Sequence, residues 1–277
     1  EFFFLIFRRT NHMIMVNFFM NLSSNNNYLA TIFCPLYKGK TFIEGYMEDM
    51  ISQSAFHDVK FHILDCNSPE DEFPVIEKYQ GYKNIFYQRL DKDPGLYEAW
   101  NICCKQATTV LVGNWNVDDR KSPWSLEALI QPFLLDKDLD ISYGATFVSE
   151  KANENWENVQ KNTIFPCTET NTWKDLIYNN SPHCMPVWKK SIHERFGYFD
   201  ASYKTAADSD MWIRAVKGGA KIKMIKDIVG IYYHNPKGRS TDAETLKSML
   251  DEVHGMRRKH YPEYNLSNEN RASISSN

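Results

Sequence analysis

Apolar residues along this chain follow two rhythms, short uninterrupted runs and longer stretches with apolar positions three and four apart, and together they predict strands regularly followed by helices. The run Tyr28–Cys34 predicts a first buried strand, stopped at Pro35 because proline has no N–H for a ladder. From Lys40 to Ser54, Phe42, Ile43, Tyr46, Met47, Met50 and Ile51 share one helical face. Val59–Leu64 predicts a second strand running into the turn-rich acidic loop Asp65–Asp71, and Asn84–Gln88 a short third strand. Leu96–Ala107 reads as a helix and Thr109–Trp115 as a buried central strand, rich in β-branched and aromatic residues.

Ser122-Pro123 predicts a helix start, with Ser as N-cap and Pro at the first helical position, ahead of the apolar face Leu126, Leu129, Ile130, Phe133 and Leu134. Leu139–Val148 predicts another strand. Glu150–Asn180 breaks the rhythm, being polar and Asn-rich with scattered Trp156, Phe165, Trp173 and Tyr178, as expected of a long excursion with a functional role. Met185–Trp188 is strand-like, Lys189–Phe196 a basic helix that Gly197 can terminate, and Ala206–Gly219 a helix with Met211, Trp212, Ala215 and Val216 on one face. Lys221–Tyr233 predicts a last strand or pair of strands, followed by the polar loop His234–Ser240. Thr241 with Glu244 predicts a capping box for a helix carrying Leu246, Met249, Leu250 and Val253, and low hydrophobicity predicts a disordered tail over 265–277. Repeated strand–helix alternation predicts an α/β domain with a Rossmann-like, mixed but mainly parallel sheet flanked by helices.

Composition changes this picture little. The 277 residues carry a net charge of −3, so no electrostatic argument points to nucleic acid or an anionic membrane. Cys34, Cys66, Cys103, Cys104, Cys167 and Cys184 show no CxxC spacing and lie mostly in apolar runs, which predicts reduced, buried thiols and a cytoplasmic setting. Residues 1–27 form an N-terminal extension. Its run Phe2–Phe7, interrupted by Arg8-Arg9, is too short to span a bilayer and leaves at most a weak membrane contact through residues 1–20.

The candidate chemistry is acidic. Asp118-Asp119 follow the Thr109–Trp115 strand directly, and the carboxyl ends of strands in open α/β sheets are where ligands bind. A solvated turn is the plain alternative for that pair. Asp208 and Asp210 occupy the first turn of a helix, where capping is the plain alternative.

Four blocks in order, spanning about Thr31 to Ser240, resemble the family 2 glycosyltransferases of the GT-A fold. Cys34-Pro35-Leu36-Tyr37 with Ile51-Ser52-Gln53-Ser54 looks like the family's PxYN…S…Q opening, with Lys38 where Asn is usual. Leu64-Asp65-Cys66-Asn67-Ser68 is similar to its DDGS motif, keeping the first Asp and the Ser. Asp93–Asn101 with Asn116-Val117-Asp118-Asp119 resembles a subgroup pattern DxGxYDAxN…LNxDD. Phe196–Asp200 through Asp208, Asp210 and Arg214 resembles GxFD…EDxDLxxR, with Ala207 replacing Glu.

The resemblance implies a GT-A domain over 28–240, with a nucleotide-binding half at 28–120 and an acceptor half at 121–240, followed by a C-terminal helix at 241–264. It implies an inverting, metal-assisted transfer of a sugar from a nucleotide-diphosphate donor, UDP-linked by preference, to a hydroxyl of a glycan or another acceptor. Asp118 and Asp119 would hold Mn2+ or Mg2+, with His234 as a further metal or diphosphate contact. Asp208 would be the general base and Asp210 structural. Pro35, Tyr37 and Asp65 would form the base pocket, Asp93 and Asn101 would flank the diphosphate or sugar, Asn116 would bond ribose or sugar, and Arg239 would meet a phosphate. Trp115, Trp173, Trp188 and Trp212 offer faces for sugar stacking, with core packing the better expectation for Trp212. Two other readings stand beside this one. A nucleotidyltransferase would want a Gly-rich loop where CPLYKGK has one Gly, and a silent carbohydrate-binding pseudoenzyme would explain the departures at Cys66, Asn116 and Ala207.

Overall fold

β1 (Ala30–Leu36) lies inside an eight-stranded sheet whose order, in chain numbering, is β3-β2-β1-β4-β7-β6-β8-β5. The computed structural model describes residues 28–183, 185–238, 241–242 and 244–264. The N-terminal extension, Cys184, Arg239 and the tail 265–277 lie outside the described residues.

The first four strands, β1, β2 (Val59–Asp65), β3 (Ile85–Arg89) and β4 (Leu111–Asn114), are parallel, with Ala30 opposite both Val59 and Leu111. This register sets the carboxyl ends of β1, β2 and β4 side by side, so the loops after Leu36, Asp65 and Asn114 share one edge. Pro35 does not stop β1, which continues to Leu36. The β4 pairing ends at Phe33↔Asn114, and Phe33 accepts from Trp115 N–H at 2.9 Å, so Pro35 faces the same side one step beyond the ladder and deprives no strand of a bond.

Helices α1 (Ile43–Ile51), α2 (Phe73–Glu77) and α3 (Leu96–Gln106) connect these strands. Ile43, Tyr46, Met47 and Met50 of α1 are buried as the spacing predicts, whereas Ile51 stays 37% exposed. Two left-handed residues shape the edge, Lys38 (φ 53°) and Asn67 (φ 56°), at positions where the motifs quoted above favour Asn and Gly, the residues that tolerate this conformation. The acidic loop fastens its neighbour. Ser68 Oγ, Glu72 Oε1 and Glu70 Oε2 accept from the N–H groups of Lys38, Gly39 and Lys40 at 3.0, 2.8 and 2.9 Å.

The second half is mixed. β6 (Leu139–Ser149) pairs antiparallel with β7 (Val187–Lys189) and parallel with β8 (Lys221–Tyr233). β5 (Arg120–Lys121), too polar and short to be read from the sequence, pairs antiparallel with Gly230 and Ile231 of β8. Gly230 permits that approach, because a Cβ there would strike the Arg120 carbonyl. Asp49 of α1 holds Arg120 through two bonds of 2.7 Å and accepts from Lys121 N–H at 3.0 Å, a buried clasp behind the loop that carries Asp118 and Asp119.

Helix α4 begins at Ser125 and runs to Leu135, so Ser122 is not its N-cap and Pro123 is not its first residue. Ser122 instead accepts from Ser125 N–H in a turn. The excursion carries a single turn, α5 (Asp175–Tyr178), and the predicted basic helix shortens to α6 (Ile192–Phe196). α7 (Ala207–Lys217) buries Met211, Trp212 and Ala215. α8 (Leu246–His260) starts after Thr245, and Thr241 hydrogen-bonds the carbonyls of Asn235 and Gly238, so the predicted capping box does not form. Leu246 and Leu250 are each 41% exposed, and Met256 is the buried residue of that helix. No helix of the described residues is long and apolar enough to cross a membrane.

Candidate active site

A cavity of about 540 Å³ opens at the shared edge of β1, β2 and β4. One wall comes from the parallel half, with Pro35 near the end of β1, Tyr37 and Lys38 after it, Cys66 after β2, and Asn116 to Asp119 after β4. Asp93, Tyr97 and Trp100 extend it along the start of α3. The facing wall is Asn180, His183, Lys204, Thr205, Asp208, and Tyr232 and Tyr233 at the end of β8, with Met249 and Val253 of α8 closing one side.

Of the residues singled out above, the fold therefore brings Pro35, Tyr37, Asp93, Asn116, Asp118, Asp119 and Asp208 onto one cavity. It does not bring Asp65, Asn101 or His234 there. Asp65 is 2% exposed and accepts from Ser68 N–H at 2.8 Å, Tyr87 O–H at 2.7 Å and Arg89 Nη1 at 2.5 Å, so three donors of the fold already hold its carboxylate away from the cavity. Asn101 is buried and spans both backbone groups of Phe199, donating to its carbonyl at 2.9 Å and accepting from its N–H at 3.0 Å. His234 is exposed beside the cavity-lining Tyr233 and Asn235, held by its backbone N–H to Ser149 O at 2.8 Å. Trp115, Trp188 and Trp212 are wholly buried and offer no face to a sugar. Trp173 packs against Tyr261 instead, and Trp100 is the tryptophan on the cavity wall.

Asp118 and Asp119 sit where β4 gives way to a tight turn, closed by Asp119 N–H to Asn116 O at 3.2 Å. The indole N–H of buried Trp115 donates to Asp119 O at 2.9 Å, and Tyr233 N–H donates to its Oδ1 at 3.4 Å. Burial raises the Asp118 carboxyl above its ordinary range. Asp119 is pushed well above it, first by burial and then by the charge on Asp118, with the Tyr233 N–H, Lys121 and Asn116 only partly offsetting this. Two adjacent carboxyls, one half-buried and one buried, are stabilised there by either a proton or a cation.

All-oxygen donors suit Mg2+ or Mn2+. No three His, Cys, Asp or Glu side chains of the described residues gather around a common point, so Asp118 and Asp119 could supply two ligands while donor phosphates and water supply the rest.

Asp208 stands in the first turn of α7, 8% exposed. Tyr97 O–H donates to its Oδ1 at 3.0 Å and Asn180 Nδ2 to its Oδ2 at 2.8 Å. Burial raises its carboxyl, against the opposing pull of Asn180, the Ser209 N–H and Tyr97. A carboxyl so raised is a stronger proton acceptor than an exposed aspartate. Tyr97 was legible within the Asp93–Asn101 motif, but Asn180, His183 and Lys204 lie in irregular segments with no periodic signal.

A parallel nucleotide-type half-sheet, a mixed second half and an acidic cavity at the strand ends define a GT-A architecture. The glycosyl transferase family 2 pattern matches residues 31–196, more than half of the chain, and the chain belongs to that family. It is thus a glycosyltransferase by family, which sets aside the nucleotidyltransferase reading. No curated protein matches the chain. Among solved structures it is similar to S. aureus TarS residues 1–349 in complex with UDP-GlcNAc, with a TM-score of 0.67 and 16% identity over 86% of this chain and 68% of that one. It is also similar to the mannosyltransferase PcManGT from Pyrobaculum calidifontis in complex with GDP-Man and Mn2+, with a TM-score of 0.62 and 13% identity over 83% of this chain and 64% of that one. At these identities the likeness is one of fold.

Proposed function

We propose that the chain transfers a sugar, with inversion, from a nucleoside-diphosphate donor to a hydroxyl acceptor in glycan or polysaccharide synthesis, with Asp208 as general base. The observation that carries this reading is the placement of Asp118, Asp119 and Asp208, each raised by burial, on the walls of one cavity. In a single displacement the acceptor oxygen bonds to the anomeric carbon as the bond from that carbon to the diphosphate breaks. The bonding pair leaves with the diphosphate, and Asp208 takes the acceptor's proton. Asp118 and Asp119 would hold a divalent cation, Mn2+ or Mg2+, which when bound offsets charge on the departing diphosphate.

Pro35, Tyr37 and Lys38 would meet the nucleotide, with Asp93 and Asn116 beside the diphosphate and sugar. Asp65 would then act on the base pocket through its bonds to Ser68 and Arg89. The walls support a division into a nucleotide half at 28–120 and an acceptor half at 121–240, with the acidic pair near the seam. Both a UDP and a GDP donor occur among the similar structures, and UDP is the first to test. The buried thiols of Cys34, Cys66, Cys103 and Cys104, none of them in a disulfide, suit a reducing, cytoplasmic setting.

Thermal shift with UDP-, GDP- and dTDP-sugars, with and without Mn2+, tests the reading. At least one donor should raise the melting temperature, and more so with Mn2+. No shift with any of them refutes it.

A further inference from the structure

Two side chains without an assigned role grip the proposed base from opposite sides. Tyr97, in the first turn of α3, donates to Asp208 Oδ1 at 3.0 Å. Asn180, which ends the polar excursion over 150–180, donates to Oδ2 at 2.8 Å. Both line the cavity together with Asp208. An aspartate carboxyl turns easily about its terminal torsion, and one donor on each oxygen fixes its plane. A carboxylate offers about four acceptor sites, so Tyr97, Asn180 and the Ser209 N–H still leave room for an acceptor hydroxyl.

Tyr97 is itself held by packing, with its ring 5.5 Å from that of Trp100 and stacked at 6.3 Å on Phe199. Asn180 is placed by neighbouring turns of the excursion, where Asn179 Nδ2 donates to Thr168 at 3.2 Å and Ser181 N–H to Asn179 O at 2.9 Å.

We propose that Tyr97 and Asn180 are positioning residues that fix the Asp208 carboxylate for proton transfer, so that the excursion completes the base site as well as walling the cavity. This rests on Asp208 being the base. Other ionisable groups face the same region. They are Lys204 and His183 on the cavity wall, Glu252 on α8, and Asp118 and Asp119 from the β4 end, while Asp210 turns away to Arg214, Lys259 and His260. None of these donates a hydrogen bond to Asp208 among the described residues, whereas Tyr97 and Asn180 both do.

The test reads the Asp208 carboxyl directly. In protein labelled with 13C-aspartate, the Asp208 carboxyl resonance, assigned by its loss in Asp208→Asn, is followed through a pH titration. Removing a donor destabilises the charged form, so the titration should move to higher pH in Tyr97→Phe and in Asn180→Ala, and further in Asn180→Asp, which sets a like charge beside it. Turnover is read in parallel as release of UDP from UDP-GlcNAc, or of GDP from GDP-mannose, with Mn2+. The acid limb of kcat should follow the titration upward, and kcat at neutral pH should fall roughly ten-fold in Asn180→Ala. Donor Kd should be unchanged.

Tyr97→Phe keeps the ring that packs on Trp100 and Phe199, which separates loss of the bond from loss of the fold. A titration that stays at the parental position in either variant removes that residue from the proposal. If Asp208→Asn turns over at the parental rate, the base assignment itself falls. If it is inactive while the Asn180→Ala titration is unshifted, only the positioning role falls.

Discussion

The cavity mouth and the α7–α8 junction both bury carboxylates, and they treat them in opposite ways. At the junction, Asp210 is fully buried and accepts from Arg214 Nε at 2.7 Å, His260 Nε2 at 2.8 Å and Lys259 Nζ at 3.3 Å. Burial alone would raise its carboxyl, but the bonds from His260 and Arg214 and the charges of Arg214 and Lys259 outweigh it and hold Asp210 well below the ordinary carboxylate range. At the mouth, Asp118, Asp119 and Asp208 stay raised because nothing of comparable strength offsets their burial. Asp208 and Asp210 are two residues apart on one helix, about 200° around its axis, so one turns to the cavity and the other to α8. A buried carboxylate matched by cations fastens the fold, while one left unmatched is, on the proposed reading, the one available to a proton or a cation that arrives with substrate.

The contrast is broken or sharpened by substitution. The largest effect falls on chemistry. Asp208→Asn should reduce turnover by roughly 10²–10⁴-fold with the melting temperature preserved, as measured by steady-state release of nucleoside diphosphate. Asp210→Ala should do the reverse in kind, costing about 3–5 kcal/mol in urea unfolding by leaving three donors around an empty site. In the parent, the stability that Asp210 supplies is present above the unfolded carboxylate pKa of about 3.9 and is lost as pH falls towards its depressed folded value.

The mouth has the opposite sign. Because Asp119 is raised in the folded state, its cost is absent below about pH 3.9 and grows as pH rises towards its folded value. Asp119→Asn should therefore stabilise the metal-free protein at neutral pH, with Tm rising about 2–4 °C per kcal/mol gained, and the gain should vanish in acid. The smallest effect belongs to Lys259→Met. That half-exposed ammonium adds an outer contact to Asp210, and its loss should cost about 1 kcal/mol or less in the same unfolding measurement.

The parallel half was largely legible in the sequence because its strands are buried and apolar and carry their own signal. The departures there have local causes. Pro35 continues β1 because the ladder beside it has already ended, and α4 starts at Ser125 because Ser122 spends itself in a turn. β5 was invisible because Arg120 and Lys121 are buried by partners distant in sequence, Asp49 above all.

The site followed the same rule. Asp118, Asp119 and Asp208 fall at element boundaries that patterns and motifs reveal. Asp65 and Asn101 carry the right chemistry, yet a sequence cannot tell which polar groups will be consumed by Tyr87 and Arg89 or by Phe199. Asn180 belongs to an excursion with no period, so only the fold shows that it reaches Asp208.

The most direct test of the account is a calorimetric titration of UDP-GlcNAc and GDP-mannose into the parent, Asp118→Ala and Asp208→Asn proteins, with and without Mn2+, beside turnover of the same donors. The account predicts that Asp118→Ala loses the Mn2+-dependent part of donor binding, while Asp208→Asn binds donor and Mn2+ like the parent and fails to turn over. Donor binding lost in Asp208→Asn and kept with its Mn2+ dependence in Asp118→Ala would contradict it.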